Sequence, residues 1–95
     1  MNMKEISDNQ IKAWILNKMR SHRFIGRKHT DIKNIRKGAP QENYRRIDKE
    51  LSELRKMGFV VFYVKAGTKH VSINPSALND INDFIGKNYT EVIFK

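Results

Sequence analysis

The sequence predicts an α+β fold: three helices, a β-hairpin and a C-terminal helix, in a single domain over residues 1–95. Three observations predict it. Apolar residues recur at three- and four-residue intervals in segments between Asp8 and Gly58, as in helices that bury one stripe. Two strand-like runs, Phe59 to Ala66 and Lys69 to Asn74, flank Gly67-Thr68 in the manner of a hairpin. Asn74-Pro75-Ser76 then opens a further helical spacing. The core is expected over about residues 8–85, with an apolar C-terminal tail over 86–95.

The first helix is expected from Asp8 to His22, capped by Ser7 or Asp8. Its stripe is Ile11, Trp14, Ile15 and Met19, with Lys12, Lys18 and Arg20 off it. Phe24-Ile25-Gly26 reads as a short extended piece, a candidate third strand beside the hairpin. The second helix, Asp31 to Lys37, takes Thr30 as its N-cap, buries Ile32 and Ile35, and ends at Gly38. Being barely two turns long, it depends on packing against its neighbours. Pro40 suits the first position of the third helix and Glu42 its first turn, with Asn43 a rival cap. That helix closes at Met57-Gly58 and buries Ile47, Leu51 and Leu54, leaving Tyr44, Arg45, Arg46, Asp48, Lys49 and Ser52 outside.

With Gly67 and Thr68 as the central turn residues, Ala66 faces Lys69, Lys65 faces His70, Val64 faces Val71, Tyr63 faces Ser72 and Phe62 faces Ile73. One sheet face then collects Phe62, Val64, Val71 and Ile73, and the other Tyr63, Lys65, His70 and Ser72. A one-residue slip would scramble this division. The last helix is expected to run to about Ile85, with Leu78, Ile81, Phe84 and Ile85 as its apolar side, and to end at Gly86. The tail from Tyr89 to Phe94 is apolar enough to pack back on the first helix or to meet a second subunit.

Composition narrows the function classes. The net charge is +9, unevenly placed: residues 1–69 carry 17 Lys and Arg against 7 Asp and Glu, residues 70–95 carry 2 against 3. A face that binds a polyanion accounts for this asymmetry; a well-solvated basic surface is the plainer account. With no cysteine, there are no disulfide staples, thiolate metal sites or cysteine nucleophiles. His22, His29 and His70 lack metal-ligand spacing, and there is no phosphate-cradling glycine loop or nucleophile–base arrangement. No metal, cofactor or enzymatic activity is therefore expected. The longest apolar run, Phe59 to Val64, is too short to span a bilayer, and Met1 to Ser7 lacks the apolar stretch of a signal peptide. A cytoplasmic location, no membrane association and no small-molecule effector are expected.

The segment Asn43-Tyr44-Arg45-Arg46-Ile47-Asp48-Lys49-Glu50-Leu51-Ser52-Glu53-Leu54-Arg55-Lys56-Met57-Gly58-Phe59-Val60 runs a helix into a strand through a Leu-x-x-x-Gly-hydrophobic turn. It resembles the winged helix-turn-helix superfamily of transcription regulators found in bacteria, archaea and their viruses, and the resemblance extends over roughly Asp8 to Ile85. In that family one helix enters a DNA groove and the hairpin, the wing, lies on the flanking backbone. The resemblance puts Tyr44, Arg45, Arg46 and Lys49 at groove-facing positions, and Lys65 and Lys69 on the wing. The segment Gly38-Ala39-Pro40-Gln41-Glu42 departs from the family's tight Gly-apolar-Ser turn.

The residues themselves extend that set. A helix enters the major groove with its N-terminal residues toward the bases, which adds Gln41 and Asn43. Arg matches guanine, and Asn or Gln matches adenine, through paired hydrogen bonds. The competing account pairs Arg45 and Arg46 with Glu42, Asp48 or Glu50 along the same helix. Thr68 and His70 join the lysines at the hairpin tip, where the plain account is an edge strand blunted by charge. Arg27, Lys28, Thr30, Lys33 and Lys37 are expected on the DNA backbone. The expected partner is double-stranded DNA, bound sequence-specifically, with a homodimer forming through the first helix, the last helix and the tail. The alternatives are an RNA-binding, ribosome-associated or architectural protein, or a protein-interaction module. Only Tyr44 and Tyr63 offer obvious stacking surfaces for unpaired bases, which argues against RNA.

Overall fold

A computed structural model describes residues 6–91 and Phe94. The polar Met1–Glu5 segment and the tail residues Val92, Ile93 and Lys95, on which part of the tail and N-terminal expectations rest, lie outside the described residues. Four helices and a three-stranded antiparallel sheet form an α+β fold.

Helix α1 runs Asp8–Ser21. Ser7 caps it: its hydroxyl accepts the Gln10 N–H at 3.0 Å, and the Gln10 carboxamide accepts the Ser7 N–H at 2.9 Å. The helix buries Ile11, Ile15, Leu16 and Met19 completely. Strand β1, Thr30–Asp31, pairs antiparallel with the later hairpin. This is the third strand. The expected one, Phe24-Ile25-Gly26, is reduced to a single parallel bridge from Ile25 to Ile73. Arg23 and Gly26 have φ of 60° and 66°, so the chain turns on both sides of Phe24-Ile25 and no ladder extends.

Helix α2 is one turn, Ile32–Ile35. Its cap is Asp31, whose carboxylate accepts the Lys33 N–H at 2.9 Å. Thr30, expected in that role, is a strand residue, 6% exposed, with its hydroxyl receiving the Asn34 amide at 2.8 Å. A 3-10 turn, Gln41–Asn43, precedes α3, Tyr44–Lys56. The α-helix thus begins four residues after Pro40, which is extended at ψ 146°.

Strands β2, Val60–Lys65, and β3, Thr68–Ile73, form the hairpin, with β3 central in the sheet. Its register differs from the expected one: Lys65 faces Thr68, Val64 faces Lys69, Tyr63 faces His70, Phe62 faces Val71, and Val60 faces Ile73. The turn is Ala66-Gly67, with φ of 51° and 80°. A two-residue turn with both φ positive tolerates Ala and Gly better than β-branched Thr68. The two-residue shift leaves every side chain on its expected face, because side chains alternate with period two. The apolar face is nonetheless buried only at its base. Val71 and Ile73 are fully buried, whereas Val64 is 78% exposed where the hairpin extends past the helices.

A 3-10 turn at Pro75–Ala77, capped by Asn74, leads into α4, Leu78–Asn88. The helix passes through Gly86, where it was expected to end, and stops where Tyr89 becomes extended. Thr90 and Phe94 return to α1: the Gln10 amide donates to Thr90 at 3.2 Å, and Phe94 meets Trp14 edge-on at 5.0 Å. Ile35, Ile47, Leu51, Leu54, Ile81 and Ile85 close the core against α1 and the hairpin base. Among the described residues, no helix is long and apolar enough to cross a membrane.

Candidate nucleic-acid interface

Helix α3 presents three distinct sides. Ile47, Leu51 and Leu54 face the core. Opposite them, at three- and four-residue spacing, Arg45, Lys49, Ser52 and Lys56 form an outward stripe, with the three cations exposed. Among the described residues Arg45 has no carboxylate partner. Lys49 is 63% exposed and only 4.0 Å from Glu50, and Lys56 approaches Glu53 at 3.4 Å. Such exposed pairs contribute at most about 1 kcal/mol and leave the cations available.

The flanks of α3 are tied to other elements, and this redistributes the expected set. Arg46 turns to the start of α1, donating to the Ile6 carbonyl at 2.5 Å and to the Asp8 carboxylate at 2.9 Å. The Arg46 hydrogen bond holds the Asp8 carboxyl below the usual aspartate range. On the other flank Arg36 makes two hydrogen bonds to Asp48, at 3.2 and 2.6 Å, and lies over the Tyr44 ring at 5.2 Å. The fork-shaped pairing with Asp48 keeps the guanidinium protonated to still higher pH. Glu50, expected as a surface partner for Arg45 or Arg46, is fully buried and bonded to Lys12 of α1 at 2.6 Å. The main partners of Arg46, Asp48 and Glu50 therefore come from other elements. Gln41 and Asn43 lie in the 3-10 turn ahead of α3, Gln41 exposed and Asn43 half-buried.

A groove of about 570 Å³ runs between the C-terminal half of α3 and the hairpin, lined by Ser52, Arg55, Gly58, Val60, Val61, Phe62, Lys69 and Asn74. Two cations cover the Phe62 ring there, Arg55 at 5.5 Å and Lys69 at 5.4 Å from its centre. Arg55 and Lys56 were absent from the residues singled out by sequence. The three- and four-residue spacing from Arg45 through Ser52 pointed to them, had it been followed to the helix end.

At the hairpin tip Lys65 and Lys69 are exposed. The Thr68 hydroxyl donates to the Lys65 carbonyl at 2.8 Å and so closes the turn. His70 sits lower, half-buried, with its ring against His29. The loop of residues 22–29 lies over the sheet face that carries Tyr63, His70 and Ser72. The Ser72 hydroxyl donates to the Gly26 carbonyl at 2.9 Å, and the Tyr63 hydroxyl to the same oxygen at 3.4 Å. That face is opposite the one bearing Phe62, Val71 and Ile73, so Arg27 and Lys28, both exposed, belong to a different side of the sheet from the α3 groove.

Around α2, Lys33 and Lys37 are exposed, while Thr30 is buried. The Lys33 N–H is already taken by Asp31. Lys18 of α1 donates to the carbonyls of Ile35 and Lys37 and lies over the Trp14 ring at 5.1 Å. Burial pushes its ammonium group below the usual lysine value. The structure thus brings Ser52 and Arg55 of α3 and Lys69 together along one groove, with Arg45, Lys49 and Lys56 exposed on α3, and sets Arg46, Thr30 and the 27–29 loop apart from it. No group of three or more His, Cys, Asp or Glu side chains that could hold a metal occurs among the described residues. Comparison with known protein families, curated proteins and solved structures found no match.

Proposed function

We propose that this chain is a winged helix-turn-helix protein that binds double-stranded DNA sequence-specifically and regulates transcription. In this reading α3 is the recognition helix in the major groove and the β2–β3 hairpin is the wing. The observation that carries it is the outward stripe of α3: Arg45, Lys49, Ser52 and Lys56 share one face, and Arg55 and Lys69 continue it across the groove to the hairpin. Cations gathered on one exposed helix face match phosphates on both sides of a major groove, and Arg45, near the helix N-terminus, is the base reader in this reading. Arg46 then acts as a positioning residue that anchors the helix to the start of α1. Two copies pair through α1, α4 and the tail, which predicts a pseudo-palindromic site with half-sites about one helical turn apart.

Selection of bound sequences from random duplex DNA tests the reading, with affinities measured against salt for the enriched pool and for single-stranded RNA of matched length. A defined duplex motif is the expected result. Arg45→Ala should weaken binding to that motif by about 1–3 kcal/mol, and Lys69→Ala should weaken binding to all sequences and reduce the salt slope by about one. No enriched motif, with RNA bound as tightly as DNA, would sink the proposal in favour of an RNA-binding or architectural role.

A further inference from the structure

His29 and His70 are 41 residues apart in sequence and meet where the loop of residues 22–29 crosses the hairpin. Their Nδ1 atoms lie 3.0 Å apart, with ring centres at 4.9 Å and planes at 78°. That is hydrogen-bond distance. Two imidazole nitrogens form such a bond only when one carries a hydrogen and the other a lone pair. The pair therefore holds with both rings neutral, or with one proton added. With both rings protonated, each Nδ1 presents an N–H to the other, and two positive charges face each other across 4.9 Å.

The neighbouring elements offer little to hold the second charge. From β2, Tyr63 faces His70 and its ring lies 5.1 Å from His29, but its hydroxyl is turned to the Gly26 carbonyl. From β1, Asp31 faces His70, with one carboxylate oxygen engaged by the Lys33 N–H. On the same hairpin face stand Lys65 and Thr68, and the loop itself carries Arg27 and Lys28. The elements around the pair thus carry one partly engaged carboxylate, Asp31, and three cations, Lys65, Arg27 and Lys28. The loop is also held at Phe24, whose carbonyl accepts the Ile73 N–H at 2.8 Å, and at Gly26, which bonds Ser72, Tyr63 and the Ile73 carbonyl. Between Gly26 and Thr30, which pairs with Val71 in the sheet, the rings of His70 and Tyr63 against His29 join the Arg27–His29 segment to the hairpin.

We propose that the His29–His70 contact is a proton-released clasp: it fixes the basic Arg27–His29 segment to the hairpin while at most one ring is charged, and opens when both are. The contact contributes above the pH at which the second proton binds, and its contribution is lost below it. This inference is independent of the DNA-binding reading.

The test is NMR of the imidazole nitrogens between about pH 8 and 5, together with hydrogen exchange of the Lys28 amide, which donates to the Ile25 carbonyl at 3.2 Å. His22, whose ring sits on the Lys18 carbonyl, is the internal reference. The expected result is a coupled titration of His29 and His70 in two steps. Exchange at Lys28, corrected for its intrinsic pH dependence, should rise by about tenfold across the second step. In His70→Gln, whose amide hydrogen-bonds but takes no proton, that rise should vanish and His29 should titrate in one step. His29→Gln provides the same test from the other side if His70→Gln does not fold. If His29 titrates identically in the parent and in His70→Gln, or Lys28 exchange does not respond to the second step, the clasp is excluded.

Discussion

Lys12 and Glu50 illustrate how a single side chain can reverse its apparent place. Both are charged and Lys12 lies off the apolar stripe of α1, yet they bond at 2.6 Å with side chains 11% and 1% exposed. The second Glu50 oxygen has no hydrogen-bond partner. Removing one member leaves a buried charge unmatched, so Lys12→Met should cost about 3–5 kcal/mol in denaturant unfolding, while Lys12→Met with Glu50→Leu should recover most of it. Equal losses in the single and double variants would show that the pair is not the cause. Arg46 makes a milder case. Its bond lowers the Asp8 pKa, so the contribution is present above the unfolded aspartate value and is lost as pH falls through the lowered one. Arg46→Ala should melt earlier than the parent at neutral pH, with the gap closing as acid protonates Asp8, and should leave any DNA sequence preference unchanged. Thermal melts across pH, with motif selection repeated on the variant, check both parts.

At the scale of elements, the hairpin separates what alternation specifies from what it leaves open. Alternation assigns each residue to a face, and those faces stand. It is blind to a shift of two residues, and the turn decides between such registers. Ala66 adopts φ 51°, which costs a side-chain-bearing residue about 1–2 kcal/mol, whereas Asn tolerates it and Asn-Gly suits this turn. Ala66→Asn should therefore raise stability by about 0.5–1 kcal/mol, read as a higher denaturation midpoint with unchanged slope. No gain would mean that the turn is not formed as described. The ends of α2, α3 and α4 were less legible. Asp31 displaces Thr30 as a cap because Thr30 is drawn into β1, and Gly86 stays helical because the chain extends at Tyr89 instead of turning left-handed. Such choices depend on neighbouring elements, which local propensity does not contain.

For the whole molecule, charge distribution carries the functional reading. The excess of cations lies in residues 1–69, and folding distributes it over the α3–hairpin groove, the loop on the other sheet face and the surroundings of α2. If the groove side alone engages DNA, with Arg45 on a base, then Lys49, Arg55, Lys56, Lys65 and Lys69 supply its phosphate contacts. The logarithm of affinity should then fall against that of salt with a slope between about −4 and −5. Arg27→Ala with Lys28→Ala should leave that slope unchanged, and a slope reduced by about two would place the loop on the DNA as well. Anisotropy titrations of a labelled duplex at several salt concentrations distinguish the two.

The sequence by itself determined the α+β class, the order of helices and hairpin, the core residues Ile11, Ile15, Met19, Ile35, Ile47, Leu51, Leu54, Ile81 and Ile85, the two faces of the hairpin and the basic character of α3, since each follows from local period and composition. Tertiary structure alone decided which charges remain at the surface. Lys12 and Glu50 are buried, Arg46 is tied to Asp8, Thr30 is drawn into the sheet, and His29 is brought onto His70. The physical reason is range. Periodicity reports interactions along one element, whereas these four outcomes are contacts between segments far apart in the chain, fixed only when the core brings them together.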